Sequence, residues 1–228
     1  MTLPREELDA WGFTWLPDLE LPAQISDTGG ELPVRDVLRS ASSPALRELA
    51  SAPQMLAGAS SLLGGRAFPV RAHLFVKSPS RSWGVPWHQD RVVAVERRVD
   101  ALGFEGWSRK AGVDHALAPD DVLRRMVALR LHLLSCPSPS GGLEVIAGTH
   151  HRSLDRVERE RAVEGAPVVD LSGHTGAVLA MRPLLLHRSL RPSAGRRRVV
   201  LHVEYACGSL PRPLEWKYRQ GLQESPGW

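Results

Sequence analysis

The sequence predicts a mainly β domain, a sandwich or barrel, with helices flanking it. Three observations predict this. From residue 67 onward short segments alternate apolar and polar side chains, as half-buried strands do; Pro, Gly and Ser turns separate these segments; and helical spacing is concentrated in the N-terminal third.

Taken in order, residues 5–10 and 44–63 carry helical spacing. In the second stretch Leu46, Leu49, Met55, Leu56 and Leu62 supply the apolar repeat, Ser43 and Pro44 a start, and Gly64-Gly65 a stop. AFPVRAHLFVK (67–77) and MVALRLHLL (126–134) alternate in the manner of strands, and LEVIAGTH (143–150), GAVLAM (176–181), LLLHRSL (184–190) and RVVLHVEYA (198–206) follow. Residues 97–126 interrupt them and do not read as strand. There PDDVLRRM (119–126) reads as a short helix with Asp120 or Asp121 near its N-terminus, and the whole stretch is either a lid or a surface excursion. The expected organisation is a single domain over 1–228: a helical part at about 1–66, a strand-rich core at about 67–206 and a tail at 207–228.

Composition excludes several classes. A hydrophobic content of 43% without an apolar run near 18 residues argues for a soluble protein that spans no membrane. The opening MTLPREELDAWGF has neither the basic nor the apolar region of a secretory signal, so the expected location is cytoplasmic. Cys136 and Cys207 lie far apart and form no CxxC pair, which speaks for free thiols. The net charge of +4 and pI of ≈ 9.6 come almost wholly from arginine, the lysines being Lys77, Lys110 and Lys217. Arg196, Arg197 and Arg198 form a basic cluster without interleaved aromatics, so no nucleic-acid partner is expected.

The chemistry starts at VPWHQDRV (85–92). On a strand His88 and Asp90 project to one face and Gln89 to the other, and imidazole plus carboxylate at that spacing can hold two adjacent corners of a metal's coordination sphere. His-x-Asp recurs by chance, so the metal reading needs a third ligand from a distant strand. RPLLLHRSLRPSAGRRRVVLHVEYA (182–206) offers His187, with Ser189 two positions on and a basic strand beginning eleven residues after the histidine. Arg198, Val200, His202 and Glu204 share one face of that strand; Val199, Leu201, Val203 and Tyr205 share the other. If the apolar face packs on helices, the polar face lines a cavity, and an arginine buried there requires a carboxylate. The alternative is a solvated cluster at a strand end. Two histidines and one carboxylate form the facial triad that leaves open positions on Fe(II). A buried arginine with a serine beside it would receive the far end of a dicarboxylate chelate, as a 2-oxoglutarate-dependent oxygenase requires.

These motifs resemble the phytanoyl-CoA dioxygenase family of non-haem iron, 2-oxoglutarate-dependent oxygenases. PWHQD is similar to the family's Trp-His-x-Asp stretch, SGGLEVIAGTH (140–150) to its NGxLxVIPGSH segment, and LLLHRS followed by RRRVVLHVEYA to the segment that carries the third ligand and the cosubstrate anchors. The resemblance runs from about residue 67 to 206. It implies a double-stranded β-helix, or jelly roll of the cupin-like kind, with His88, Asp90 and His187 as ligands of Fe(2+) and catalytic centre. Ser189 and Arg198 are then the contacts of 2-oxoglutarate, with Arg198 favoured over Arg197. Ser140 and Ala147 stand where the family often has Asn and Pro, and residues 133–136 where acidic residues are common, which bears on loop geometry.

The implied reaction consumes O2 and 2-oxoglutarate, releases succinate and carbon dioxide, and hydroxylates an unactivated C–H bond of a small-molecule substrate. The intact Asp90 argues against halogenation, in which a small residue vacates this ligand position. Desaturation or cyclisation with the same ligands, or a non-catalytic jelly roll that binds a metal or small molecule, are the alternatives. Lys77 is a further candidate, for the C1 carboxylate of 2-oxoglutarate, against the commoner exposed strand-end lysine. Arg130 and His132 are candidate substrate contacts whose face the alternation leaves open. His150, His151 and His174 read as turn residues, and Trp83, Trp87 and Trp107 as neighbours of the cavity mouth.

Overall fold

The computed structural model describes residues 3–16, 19, 36–39, 44–78, 80, 83–134, 142–191 and 197–219. Ser43, Cys136, Ser140 and Arg196 lie outside these residues. The elements in chain order are α1 (Pro4–Trp11), β1 (Phe13–Leu16), α2 (Pro44–Ala50), α3 (Pro53–Leu63), β2 (Ala67–Lys77), β3 (Val85–His88), β4 (Val92–Val95), β5 (Glu105–Lys110) and β6 (Val113–Leu117). They continue with α4 (Asp120–Leu123), β7 (Met126–His132), β8 (Leu143–Ile146), α5 (Arg156–Gly165), β9 (Val168–Asp170), β10 (Val178–Met181), β11 (Leu186–Ser189) and β12 (Arg198–Cys207).

A five-stranded sheet in the order β1-β10-β7-β12-β2 and a four-stranded sheet in the order β3-β11-β8-β9 face each other across a cavity, all pairs antiparallel. This is the expected jelly roll. Strand β12 is an interior strand of the larger sheet, between β7 and the edge strand β2. Its residues Val199, Leu201, Val203 and Tyr205 are buried against Leu46 and Leu49 of α2 and Met55 and Leu62 of α3, together with Ala72, Leu74 and Val76 of β2. The Tyr205 hydroxyl donates to the Ala50 carbonyl at 2.7 Å, tying strand to helix. The helical spacing over 44–63 resolves into two helices, because Pro53 has no N–H to continue the first and starts the second; α3 then ends on Gly64 in the left-handed region, φ 68°.

Three expectations are corrected. The N-terminal part is not helical throughout, since β1 pairs with β10 along Phe13↔Met181 to Leu16↔Val178 and forms an edge of the larger sheet. Residues 97–126 do contain strand: β5 and β6 pair with each other and with β4 in a third antiparallel sheet. The turn between β5 and β6 is Ala111-Gly112, both at positive φ (49° and 79°), the hairpin geometry normally marked by Asn-Gly or Asp-Gly. Alanine in the first position hides that signal. The tail also carries core residues, because Leu210, Leu214 and Trp216 pack with Val93, Val95 and Phe104 against the end of the jelly roll. Helix α5 has no buried residue and is held by reciprocal Asp155 and Glu158 caps.

Leu201 is fully buried on the helix-packed face, whereas Leu102 is fully exposed. Leu201→Ala is expected to lower the unfolding free energy by about 2–5 kcal/mol and Leu102→Ala by less than about 0.5 kcal/mol, as read from urea denaturation midpoints.

Candidate metal and anion site

Antiparallel pairing places His88 of β3 directly opposite His187 of β11. Each ring is oriented by the same local bond: His88 Nδ1 lies 2.8 Å from the Pro86 carbonyl and His187 Nδ1 lies 2.8 Å from the Leu185 carbonyl. A carbonyl only accepts, so both rings carry their hydrogen on Nδ1 and turn an Nε2 lone pair outward. Those lone pairs converge on Asp90, with His88 Nε2 3.7 Å from Oδ1 and His187 Nε2 3.7 Å from Oδ2. One donor atom from each of the three residues falls within 4.8 Å of the others. This donor set fits a divalent metal, because two neutral imidazoles with fixed tautomers and one carboxylate are what such an ion takes, and the bond behind each ring sets its direction.

The residue between them has a structural task. Gln89 points away from the cavity, where its amide donates to the Arg152 carbonyl at 2.9 Å and to the Leu184 carbonyl at 2.5 Å and accepts from the Leu154 N–H at 2.7 Å. With the Asp90 N–H donating to the Pro183 carbonyl at 2.8 Å, these bonds lock the end of β3 to the turn that precedes β11 and to the loop that precedes α5.

Strand register builds the opposite wall. On the inner face of the larger sheet, Lys77 of β2 stands opposite Arg198 of β12, and His73 opposite His202, which is in turn opposite Arg130 of β7. Lys77 and Arg198 are almost wholly buried, at 1% and 3% exposure, and both donate to one hydroxyl: Lys77 Nζ lies 2.8 Å and Arg198 Nη2 3.0 Å from Ser189 Oγ. Arg197 is exposed, so the face alternation selects Arg198 as expected. Lys77, the candidate for the C1 carboxylate, is not the commoner exposed strand-end lysine: it is buried, and its ammonium joins the cluster of Ser189 and Arg198. Ser189 is two residues from His187 on β11, about 7 Å along an extended strand. That is the reach of a five-carbon dicarboxylate.

The cavity between these walls measures about 190 Å³. Among the described residues that line it, Arg71, Lys77, Arg130 and Arg198 are cationic and Asp90 alone is a carboxylate. Phe75, Trp83, Val85 and Leu143 supply its apolar surface, with Lys77 Nζ 5.3 Å above the Trp83 ring. Burial alone would raise the Asp90 carboxyl; His187, His202, Arg71 and His88 around it outweigh that and hold it well below the usual carboxylate range. Burial lowers His187 to about 4 against the pull of Asp90, and lowers His73 to about 3 with the help of the neighbouring Arg71.

The remaining candidates divide. Arg130 lines the cavity, while His132 on the same strand meets the Trp15 ring edge-on at 5.7 Å and has Gly173 against it, where an added Cβ would lie 2.4 Å from its Nδ1. Trp83 lines the cavity; Trp87 turns outward under Arg188 at 4.8 Å, and Trp107 lies under Arg98 at 5.7 Å. No described lining residue comes from 97–126. His150, His151 and His174 sit in turns, as expected. Arg71 and His73 were missed. The alternation Arg71, His73, Phe75, Lys77 marks them as one face of β2, and only the position of Lys77 on the cavity shows which face that is.

The family model of phytanoyl-CoA dioxygenase (PhyH) matches residues 19–199. No curated protein matches the chain in sequence. Among solved structures, AviO1 from Streptomyces viridochromogenes Tue57 is 20% identical, with a TM-score of 0.67 over 91% of this chain and 95% of that one. EctD from S. alaskensis, solved with 2-oxoglutarate and 5-hydroxyectoine, is 17% identical, with a TM-score of 0.66 over 89% and 74%. The non-heme alpha ketoglutarate dependent carbocyclase SnoK from nogalamycin biosynthesis is 15% identical, with a TM-score of 0.67 over 90% and 84%. At these identities the likeness is one of fold.

His73 and His187 are held neutral in the folded chain and take up protons once it unfolds, so the unfolded state binds more protons below the ordinary histidine value of 6.5. Their contribution to stability is complete above that value and is lost as pH falls from about 6.5 toward 4. The thermal midpoint of the metal-free protein is expected to drop steadily across this interval; a midpoint that stays level or rises would contradict it.

Proposed function

The chain belongs to the phytanoyl-CoA dioxygenase family, and from that premise we propose that it is an Fe(II)- and 2-oxoglutarate-dependent oxygenase that hydroxylates a C–H bond of a small-molecule substrate. The observation that carries the proposal is the pairing, on one strand, of a metal-facing His187 with Ser189, whose hydroxyl is shared by two buried cations. Fe(II) would be held by His88, Asp90 and His187. Ser189, Arg198 and Lys77 would hold the distal carboxylate of 2-oxoglutarate, Arg198 and Lys77 by charge-assisted bonds in a water-poor environment. When bound, the metal and cosubstrate supply the oxidising chemistry, which consumes dioxygen and releases succinate and carbon dioxide.

The chain's own residues perform the remaining tasks. The backbone bonds behind His88 and His187 present two lone pairs without reorganisation, and Asp90 stays ionised throughout the physiological range. Two like charges crowded around one buried hydroxyl favour an anion at that end of the cavity, which fixes the direction in which a 2-oxo dicarboxylate enters. Phe75, Trp83, Val85 and Leu143 keep the space beside it apolar. The carboxylate at position 90 supports hydroxylation over halogenation, since it leaves no vacant ligand position for a halide.

Anaerobic addition of Fe(II) and 2-oxoglutarate is expected to produce a weak visible charge-transfer band, with succinate formed once oxygen is admitted; absence of both would sink the proposal. Arg198→Ala should weaken 2-oxoglutarate binding at least about tenfold, the loss of charge-assisted hydrogen bonds worth roughly 1.5–3 kcal/mol, while iron affinity stays within about twofold. With a turned-over substrate, a product carrying one oxygen atom from dioxygen would support hydroxylation over desaturation or cyclisation.

A further inference from the structure

Four side chains on the inner face of the larger sheet, the buried Arg130, His202 and Glu204 and the half-buried Arg71, have no task in the reaction described above. They form a connected chain. Arg130 Nη1 lies 3.0 Å from His202 Nδ1, Glu204 lies 3.4 Å from His202 Nε2, and Arg71 forms an ion pair with Glu204. The ring of His202 also faces the candidate metal site, with Nε2 3.9 Å from Asp90 Oδ2.

By spacing alone, Asp90, His202 and Glu204 make a second triad that could hold a metal, with donor atoms within 4.8 Å of one another. Hydrogen-bond chemistry argues otherwise. A guanidinium can only donate, so His202 Nδ1 accepts from Arg130 and the ring carries its hydrogen on Nε2. The tautomer is the reverse of that of His88 and His187, whose Nδ1 atoms meet carbonyls. His202 therefore turns an N–H, not a lone pair, toward Asp90 and Glu204. The Glu204 oxygen nearest the ring is the one already engaged by Arg71.

We propose that His202 is a positioning residue for Asp90. Locked by Arg130, it places an N–H between the buried Glu204 and the half-buried Asp90, so that Asp90 keeps its oxygens aimed at His88 and His187 instead of being displaced by the charge of Glu204. Arg71 and His202 together hold Glu204 back from the metal. This inference rests on the reading of His88, Asp90 and His187 as the metal ligands.

Co(II) binding, followed by its ligand-field absorption in titrations of the purified protein, tests the inference independently of turnover. His202→Phe keeps a planar aromatic ring and removes the donor; it is expected to weaken Co(II) binding about 10–100-fold, the range typical for loss of a partner to a metal ligand, and to alter the absorption envelope. His202→Gln restores an N–H and should bind within about threefold of the parent. Arg130→Met leaves His202 in place but frees its tautomer, and should bind several-fold more weakly than the parent. Should His202→Phe fail to fold in thermal melts, the contrast between Arg130→Met and the parent decides the matter. Parent-like affinity in His202→Phe, equal weakness in His202→Gln and His202→Phe, parent-like affinity in Arg130→Met, or two Co(II) ions per chain in the parent would each overturn the inference. Failure of the ligand assignment has a different appearance, since Co(II) affinity would then survive His187→Ala.

Discussion

The register of β12 between β2 and β7 is the constraint on which the rest depends. Side chains alternate across a sheet, so a one-residue slip would send Leu201 and Tyr205 into the cavity and Arg198, His202 and Glu204 into the helix-packed core. The hydrophobic face that α2 and α3 cover therefore does more than stabilise the sheet, because it also determines which residues of β12 reach the cavity and at what height they stand. Lys77 and Arg198 come together because the same register pairs them, at the opposite end of the strand pair from Ala67 and Cys207.

A cavity built this way carries an unusual charge balance. Four cations and one carboxylate line it among the described residues, and they separate into levels along the strands. At one level Lys77 and Arg198 gather around Ser189; at another His202 and His73 lie beneath Asp90 and the two facing histidines. Burial makes each of these charges expensive in isolation, and anions or opposite charges at the same level stabilise them. The separation matches a ligand that is anionic at one end and chelating at the other.

Three histidines near Asp90 differ in what lies behind them. Backbone carbonyls stand behind His88 and His187, and a guanidinium stands behind His202. The identity of that single partner decides whether the far nitrogen offers a lone pair or a hydrogen. Spacing among His, Asp and Glu is thus insufficient to recognise ligands, and the donor or acceptor character of the group behind each ring separates the two triads that spacing leaves equal.

Much of this was legible in the chain. His-x-Asp, the distant histidine and the serine and arginine that follow it at fixed intervals are local patterns, and so is the two-faced alternation of β12, since all of these depend only on neighbours along a strand. By itself the sequence determined the β-rich class, the helices that cover one sheet, His88, Asp90 and His187 as a candidate donor set, and the face alternation that turns Arg198 rather than Arg197 inward. It left hidden the Ala111-Gly112 hairpin, whose first turn residue is atypical, the sheet role of β1, and the burial of Trp216 in the tail. Only the tertiary structure decided that Lys77 joins Ser189, that Arg130 faces inward while His132 packs on Trp15, and that His202 shows its N–H to Asp90. Each of these depends on contacts between residues 70 or more positions apart, or on which face of a strand meets another sheet, and no periodicity along the chain encodes such pairings.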